Sequence, residues 1–322
     1  MQSYLQDKTV LVTGAAGFLG SHLCDYLLLH GAKVIGVDNF VTGRKGNIAH
    51  LEKSNSFTFF SADVISDPKT YLNGLVPDVI LHFASPASPP RYQEEPVATY
   101  LVNSYATHLL LTYLEEVNPQ GRFLFAGTSE AYGDPTVHPQ PETYWGNVNP
   151  NGVRSCYDEA KRLGETICGV FYRDKQIDAR IVRIFNTYGP RMNPEDGRVI
   201  PNLVMQALRH EPFTIYGDGN QSRSYCYVDD LIEGITLLLV HPDLAGETFN
   251  VGNPSEYTIL ETAREIEKIL GKNEYSYRPL PGDDPARRQP AIAKAEQLLS
   301  WQPKVSFQEG LQQTIEYFKA QV

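Results

Sequence analysis

The stretch Thr9-Val10-Leu11-Val12-Thr13-Gly14-Ala15-Ala16-Gly17-Phe18-Leu19-Gly20 decides the fold. Its first five residues predict a buried β-strand, and its glycines predict a turn into a helix over about residues 21–30. Glycine at such a turn lets the backbone approach a pyrophosphate, whose negative charge meets the positive N-terminus of the helix. The stretch therefore predicts the first strand–turn–helix unit of a dinucleotide-binding fold.

A second buried strand ends at Asp38, which lies 18 residues beyond Gly20. A carboxylate at this position accepts hydrogen bonds from the ribose 2′- and 3′-hydroxyls and repels a 2′-phosphate. Asp38 therefore favours NAD over NADP, and Arg44 nearby leaves NADP as the alternative. The residues expected to contact the cofactor are Gly14, Gly17, Phe18, Leu19, Gly20, Asp38, Asn39, Phe40, Thr42, Gly43, Asp63, Val64, Phe83, Ala84, Ser85, Tyr157 and Lys161.

Strand and helix patterns alternate from the first glycine turn to about Phe185. This alternation predicts an α/β fold with a Rossmann-type doubly wound parallel sheet. Further strands are expected at residues 33–37, 58–60, 79–84, 122–126 and 180–185. Ligands bind at the carboxyl ends of such strands, where Ala84, Ser85 and Thr128 lie.

After Pro190 the pattern becomes more irregular and predicts a smaller C-terminal α/β domain that binds the substrate. Here the sequence predicts strands at residues 213–216 and 275–278 and helices at 257–270 and 307–318. The expected division of the chain is an NAD-binding domain of residues 1–187 with 222–252, and a substrate domain of residues 188–221 with 253–322.

Tyr157 and Lys161 form a Tyr-x-x-x-Lys pair, which places a phenol and an ammonium on adjacent turns of a helix. The ammonium is expected to lower the pKa of the phenol, so that tyrosinate takes a proton from a sugar hydroxyl while hydride leaves the carbon. Thr128 would donate a second hydrogen bond to that oxygen. Oxidation of an alcohol does not require a carboxylate at the position of Glu130, so Glu130 suggests a chemical step after the oxidation. The alternative is that Glu130 is a solvated residue in a turn.

Composition limits the classes of partner. With a net charge of −10 and a pI near 5.3, the chain does not fit a protein that wraps nucleic acid. An anionic ligand would require a locally basic pocket. The four cysteines have no C-x-x-C spacing and predict reduced thiols, and the histidines show no metal-ligand spacing. Because no signal peptide or apolar run of transmembrane length is visible, we expect a cytoplasmic protein without membrane contacts.

The glycine pattern Gly-x-x-Gly-x-x-Gly combined with Tyr-x-x-x-Lys resembles the extended short-chain dehydrogenase/reductase superfamily of nucleotide-sugar enzymes. Longer segments resemble the UDP-glucuronate decarboxylases (UDP-xylose synthases) within it, and they span nearly the whole chain. These segments are ASPASPP (84–90), GDPTVHPQ (133–140), YWGNVNP (144–150), RIFNTYGPRM (183–192), DGR (196–198), YGDG (216–219), RS (223–224), DPARRQP (284–290) and WQP (301–303).

The resemblance implies an NAD-dependent decarboxylation of a UDP-sugar. Oxidation at sugar C4 places a ketone β to the C5 carboxylate, CO2 leaves, and protonation at C5 with return of the same hydride gives the pentose nucleotide. Glu130 would orient or deprotonate within the sugar site, and Arg288 would face the carboxylate or keto oxygen. The implied catalytic residues are Thr128, Glu130, Tyr157, Lys161 and Arg288. The implied substrate-binding residues are Tyr92, Ser129, Asn186, Arg198, Tyr216, Arg223 and Arg288.

Ser129 and Glu130 separate this chain from related reactions. The 4,6-dehydratases show the pattern Thr-Asp-Glu at this place, where the Asp protonates the departing hydroxyl. This chain has Ser129 instead of the Asp, and serine is a poor proton donor to a leaving hydroxyl. The 4-epimerases usually lack the Glu. A 4-epimerase, a 4,6-dehydratase and a non-enzymatic NAD-sensing or scaffold protein remain the alternatives, although a sensor need not preserve the Tyr157–Lys161 pair. Instead of binding substrate, Asn186 could cap a turn. Arg288 could be an exposed surface residue.

Two positions depart from the decarboxylase pattern. Leu101 stands where the family carries a Lys two residues before the Asn that matches Asn103, and Ala62 stands where the family shows a His before Asp63. If that Lys binds the uronate carboxylate, its absence weakens the assignment of the substrate.

Two expected helices carry apolar residues on more than one face, at about residues 97–116 and 156–172. Such helices fit a homodimer formed through a four-helix bundle, and they also fit helices buried within a monomer. The family resemblance favours the homodimer.

Overall fold

A computed structural model of the chain describes residues 2–321, with side chains from residue 4 onward. Its strands are β1 (Thr9–Thr13), β2 (Lys33–Asp38), β3 (Phe57–Ser61), β4 (Val79–His82), β5 (Arg122–Thr128), β6 (Asp178–Ile184), β7 (Thr187–Tyr188), β8 (Phe213–Tyr216), β9 (Ser222–Ser224), β10 (Cys226–Tyr227), β11 (Thr248–Val251), β12 (Glu256–Thr258), β13 (Tyr275–Arg278) and β14 (Arg287–Arg288). Its α-helices are α1 (Gln2–Leu5), α2 (Phe18–Leu29), α3 (Pro68–Leu72), α4 (Pro89–Glu94), α5 (Pro96–Asn103), α6 (Tyr105–Val117), α7 (Ser155–Lys175), α8 (Val199–Leu208), α9 (Val228–Val240), α10 (Ile259–Leu270), α11 (Ala293–Leu299) and α12 (Phe307–Lys319).

Seven strands form one parallel sheet in the order β11-β6-β5-β4-β1-β2-β3. Within it Val12 of β1 is paired with Gly36 of β2 on one side and with Leu81 of β4 on the other. The strand order reverses between β1 and β4, and ligands of open α/β sheets bind outside the carboxyl ends of the strands at this reversal. The predicted Rossmann-type doubly wound sheet is therefore confirmed.

Successive residues of β1 face opposite sides of the sheet, as the two-residue period of a strand requires. Val10 and Val12 belong to a buried cluster that includes Leu23 of α2, whereas Leu11 belongs to a second cluster that includes Phe171 of α7. Full burial of such a side chain contributes roughly 1.5–3 kcal/mol. Burial on both faces explains why these strands read as continuous apolar runs.

Three small sheets complete the strand pairing, in the orders β12-β9-β14, β13-β8 and β10-β7. Strand β11 lies beside β6 in the main sheet, so this part of the chain after Pro190 returns to the larger sheet. Strand β9, in contrast, pairs with β12 and β14. The division into two domains at the stated boundaries stays a prediction.

The helix expected over residues 97–116 is two helices, α5 and α6, which meet at Ser104. Ser104 has φ −115° and ψ −69°, outside regular helical values. Just before it, the Asn103 amide donates to Thr99 O and to Ser85 Oγ, both at 2.9 Å. The bond to Ser85 ties the end of α5 to the segment that follows β4, whereas the bond to Thr99 lies within α5.

Helix α8 lies in the segment after Pro190 whose pattern is irregular, and it contains Pro201. Pro201 is the third residue of the helix. The N–H groups of the first turn have no acceptor inside the helix, so proline costs little there. Helix α10 begins two residues later than expected, after Thr258, which forms a capping box with Glu261.

No helix within residues 2–321 has both the length and the apolarity needed to cross a bilayer.

Candidate active site

A cavity of about 570 Å3 opens at the carboxyl ends of the central strands. It is lined by Gly14 after β1, Phe83 after β4 and Thr128 at the end of β5. Further lining residues come from the segments 184–203 and 214–225. The large cavity therefore lies at the edge where a doubly wound sheet binds its ligands.

The glycine turn is tight because its backbone leaves no room for side chains. Gly14 has φ +71°, and a Cβ on it would stand 2.8 Å from Phe83 O and from Ala84 N. A Cβ on Gly20 would stand 2.0 Å from Gly14 O. The N–H groups in the first turn of α2 have no acceptor inside the helix. Gly17, the N-cap residue, does not supply a side-chain acceptor for them. This end of the large cavity fits the pyrophosphate of a dinucleotide.

Asp38 ends β2, and its carboxylate accepts hydrogen bonds from the backbone N–H groups of Ala16 at 2.9 Å and Phe40 at 2.7 Å. Burial raises the pKa of Asp38, against the lowering effect of these N–H groups. A carboxylate offers about four acceptor positions, so two remain for ribose hydroxyls. Asn39 donates to Asp63 at 3.2 Å, which joins the ends of β2 and β3.

The predicted cofactor residues fall into two groups. Those that line the large cavity are Gly14, Gly17, Phe18, Leu19, Gly20, Thr42, Phe83, Ser85, Tyr157 and Lys161. Those that lie outside its lining are Asp38, Asn39, Phe40, Gly43, Asp63, Val64 and Ala84. Arg44, the residue behind the NADP alternative, lines the cavity and has a buried Nη1 without a hydrogen-bond partner among the described residues.

Thr128, Tyr157 and Lys161 all line the large cavity. Burial raises the pKa of Tyr157 above its ordinary value, although a hydrogen bond with Thr128 lowers it. Lys161 Nζ lies 5.7 Å from the centroid of the Tyr157 ring and donates to Ala126 O at 2.7 Å. Burial lowers the pKa of Lys161 to about 7. The expected lowering of the phenol pKa by the ammonium is therefore not met, because burial disfavours both charged forms.

Glu130 lies between two guanidinium groups. Its carboxylate accepts hydrogen bonds from Arg154 at 2.6 Å and from Arg288 Nη1. Burial raises the pKa of Glu130, but the charges of Arg288 and Arg154 outweigh it and lower the pKa to about 2. Glu130 is therefore ionised and held in place, and the solvated-turn alternative does not describe it.

Arg288 is 3% exposed, so its alternative role as a surface residue is wrong. Its Nη2 donates to Gly133 O at 2.7 Å while its Nη1 binds Glu130. Both terminal nitrogens are thus used within the protein, and Arg288 lines a smaller neighbouring cavity rather than the large one. The expected contact of Arg288 with a substrate carboxylate or keto oxygen stays a prediction.

The other predicted substrate residues line the large cavity: Tyr92, Ser129, Asn186, Arg198, Tyr216 and Arg223. Tyr92 stacks on Tyr157 with ring centroids 4.9 Å apart and an angle of 8° between planes. Arg198 donates to Asp196 at 2.9 Å, and Arg223 donates to Asp284 at 2.9 Å.

The large cavity is basic within an acidic protein. Seven basic side chains line it against three acidic ones, Glu130, Asp196 and Asp284. The basic residues are Arg44, Arg91, Arg154, Lys161, Arg191, Arg198 and Arg223. The locally basic pocket predicted for an anionic ligand is confirmed.

Sequence reasoning missed Arg154 and Asp284, which connect the site. Arg154 Nη1 donates to Asp284 at 3.2 Å while Arg154 Nη2 donates to Glu130. Arg154 precedes Tyr157 by three residues, one helical turn, and that spacing was a usable signal. Asp284 begins the DPARRQP segment, but its pairing with Arg154 links residues 130 apart and leaves no local pattern.

Leu101, the departure from the decarboxylase pattern, lies outside the lining of both cavities. Ala62 packs against the second buried cluster, beside Val64.

All four cysteines are free thiols. Within residues 2–321 no group of three or more His, Cys, Asp or Glu side chains is arranged to hold a metal ion.

Comparison with known proteins adds three findings. The sequence model of the NAD dependent epimerase/dehydratase family matches residues 10–252. UDP-glucuronic acid decarboxylase 2 of Arabidopsis thaliana is 48% identical over 97% of this chain and 68% of its own length, and UDP-glucuronic acid decarboxylase 1 of Xenopus tropicalis is 45% identical over 98% and 73%. The crystal structure of UDP-glucuronic acid 4-epimerase from Bacillus cereus, in complex with UDP-glucuronic acid and NAD, has a TM-score of 0.87 at 31% identity, covering 98% of this chain and 100% of that chain.

Proposed function

The chain belongs to the NAD dependent epimerase/dehydratase family, and from that premise we propose that it decarboxylates UDP-glucuronate to UDP-xylose with NAD as a resident cofactor. Identity of 44–48% to UDP-glucuronic acid decarboxylases over nearly the whole chain supports this reaction. The observation that carries the proposal is the shared lining of one cavity by Thr128, Glu130, Tyr157 and the glycine turn.

The residues that would hold NAD are the ones predicted from the sequence, with Gly14, Gly17 and the first turn of α2 at the pyrophosphate and Asp38 at the adenosine ribose. Bound NAD supplies the oxidation of sugar C4 and its reversal. Because Asp38 repels a 2′-phosphate, NAD is favoured over NADP.

Tyr157 would take the proton of the sugar C4 hydroxyl, with Thr128 hydrogen-bonded to the same phenol oxygen. Since burial raises the pKa of Tyr157, its phenolate needs a neighbouring positive charge. Lys161, on the next turn of α7, is the cation that the helix supplies. The ammonium would act by turning from Ala126 O towards the phenol.

Glu130 would orient the sugar as a fixed carboxylate rather than donate a proton. The charges of Arg288 and Arg154 hold the pKa of Glu130 below its ordinary value, so the carboxylate is ionised at pH 7. Arg288 and Arg154 would keep Glu130 at the sugar. Tyr92, Ser129, Asn186, Arg198, Tyr216 and Arg223 would contact the UDP-sugar along the basic lining.

The test is incubation of the purified protein with UDP-glucuronate and mass spectrometry of the products. We expect release of CO2 and formation of UDP-xylose. A product of unchanged mass would establish the 4-epimerase alternative, and loss of water would establish the dehydratase. If NAD raises the melting temperature and no nucleotide sugar does so, the NAD-sensing alternative replaces the enzyme.

We also propose that two copies pair through α5, α6 and α7. Apolar side chains with exposures between 38% and 56% lie on these helices: Val97, Tyr100, Tyr105, Leu163, Val170 and Tyr172. Leu163→Glu should convert the dimer to a monomer in sedimentation analysis, because the charge would be buried at the interface. Leu29→Glu, at an 82% exposed position on α2, is the matched control and should leave the mass unchanged.

A further inference from the structure

A smaller cavity of about 170 Å3, which we call the small chamber, shares Glu130 and Arg154 with the large cavity. Its volume is sufficient for several water molecules. Its lining is almost entirely polar: Glu130, Gly133, Asp134, Asn147, Val148, Asn149, Arg154, Asp158, Asp283 and Arg288.

Three buried polar atoms of the small chamber have no hydrogen-bond partner among the described residues. They are Asp158 Oδ1, Arg154 Nε and Arg288 Nε. The three residues are 7%, 7% and 3% exposed. These three atoms are closed off from solvent, so the polar surface that water in the small chamber would contact belongs to the other oxygen and nitrogen atoms of its lining.

The proposed reaction requires a proton that the residues already assigned do not supply. When CO2 leaves, the electron pair of the broken carbon–carbon bond forms an enolate across C4 and C5. A new C5–H bond must then form while an O–H bond of the donor breaks. Tyr157 exchanges its proton with the C4 oxygen. Glu130 is ionised and therefore has no proton to give. The donor for C5 must lie elsewhere.

We propose that Asp158 is the proton reservoir for C5, delivering its proton through water in the small chamber and past Glu130 to the sugar. This assignment rests on the proposed decarboxylation. Asp158 then regains a proton from solvent, so each CO2 released consumes one solvent proton. Asp158 lines the small chamber and not the large cavity, so it would act on the sugar through water rather than by direct contact.

The surroundings of Asp158 keep its carboxyl protonated near neutrality. Burial and the Glu130 carboxylate raise the pKa of Asp158 to about 8, against the lowering effect of Arg154 and Arg288. The charged groups that face it are Glu130, Arg154 and Arg288 across the chamber, Glu159 on its own helix, and Asp134 and Asp283 in the lining. Asp158 lies next to Tyr157 in the chain but faces the chamber rather than the large cavity.

The test separates protonation from decarboxylation with the variant Asp158→Asn. In a single turnover we expect CO2 release from UDP-glucuronate within tenfold of the wild-type rate; a single turnover is used because each 4-keto-pentose nucleotide that escapes leaves its hydride on the cofactor. The ratio of UDP-xylose to released 4-keto-pentose nucleotide should fall roughly 10²-fold at pH 7, because an enol that is not protonated escapes. In D2O the wild-type protein should place one deuteron on a single face of C5. A merely structural role would lower CO2 release and product together and leave the ratio unchanged.

Asp174→Asn is the matched control, since it makes the same change at an exposed position of α7 that lies outside both cavities. Its ratio should stay within twofold of the wild-type value. The wild-type protein alone gives a second readout that needs no variant. For the wild-type protein, the ratio of UDP-xylose to released 4-keto-pentose nucleotide should fall at least tenfold between pH 7 and pH 9. The reason is that Asp158 loses its proton as the pH rises through about 8.

The outcomes distinguish this inference from the proposed function. If the wild-type protein releases no CO2, the decarboxylation and the role of Asp158 both fail. If it releases CO2 but Asp158→Asn keeps the wild-type product ratio, only the role of Asp158 fails. If the variant does not fold, a wild-type ratio that stays flat from pH 7 to pH 9 overturns the inference.

Discussion

The glycine turn and the charge cluster around Glu130 are two parts of one cavity, and they are built in opposite ways. The turn is formed by consecutive residues, 9–20, and its tightness comes from missing side chains. The cluster joins Glu130 to Arg288, which lies 158 residues away in the chain. Steric contacts between backbone atoms, some of them with Phe83 and Ala84 after β4, define the first region. Side-chain charges from distant segments define the second.

The difference teaches how each region should fail. A side chain added in the turn collides with backbone atoms that cannot move away. A side chain removed from the cluster leaves a buried charge without its partner of opposite sign. Removing one member of a buried ion pair leaves an uncompensated charge, which costs more than most steric errors. The following substitutions compare the two costs.

Glu130→Ala should have the larger effect. It leaves Arg288 without a carboxylate partner and Arg154 with Asp284 alone, so the free energy of unfolding should fall by about 3–5 kcal/mol. Turnover of UDP-glucuronate by the remaining folded protein should fall by roughly 10²–10⁴-fold. Urea unfolding followed by circular dichroism gives the first quantity, and product mass spectrometry gives the second.

Glu316→Ala is the control for ion pairing at the surface. Glu316 pairs with Lys319 on α12, with side-chain exposures of 61% and 44%. Its loss should change the free energy of unfolding by at most about 1 kcal/mol. Equal stability losses in the two variants would contradict the idea that burial makes the Glu130 cluster different.

Gly14→Ala should have the next largest effect. The new Cβ would need the φ of +71° and would stand 2.8 Å from two backbone atoms, so we expect a loss of about 2–4 kcal/mol in unfolding free energy. The rise in melting temperature on adding NAD should shrink, because the turn would be displaced. Differential scanning fluorimetry with and without NAD measures both effects.

Gly46→Ala is the matched control, since a Cβ there meets no atom within 4 Å and its φ is not positive. It should leave stability and the NAD-dependent shift close to the wild-type values. A wild-type NAD response in Gly14→Ala would mean that the turn does not form the cofactor site.

Regular elements with a strong local pattern were predictable from the sequence. Strands β1, β8 and β13 have the expected bounds, because β1 and β8 are short runs of mostly apolar or β-branched residues and β13 alternates tyrosine with polar residues. Helices α8 and α9 were not predicted. Helix α8 carries a proline in its first turn, and α9 is buried on most faces, so neither shows a clear helical alternation.

The candidate site was predictable as a set of residues but not as a set of contacts. Thr128, Glu130, Tyr157 and Lys161 line one cavity, as their motifs indicate. The expected effect of Lys161 on the phenol was not met, because the burial of both groups is not encoded in their spacing. The hydrogen bond between Arg288 and Glu130 was not predicted, because the two residues lie 158 positions apart in the chain.

The sequence by itself determined the doubly wound sheet, the glycine turn, the acid at the end of β2 and the Tyr157–Lys161 helix. These depend on neighbouring residues, whose periodicity and backbone freedom are visible in the chain. Only the tertiary structure decided that Glu130 is ionised between Arg154 and Arg288, and that Asp158 faces a separate polar chamber. Those properties depend on burial and on charges from distant segments, and both arise only when the chain has folded.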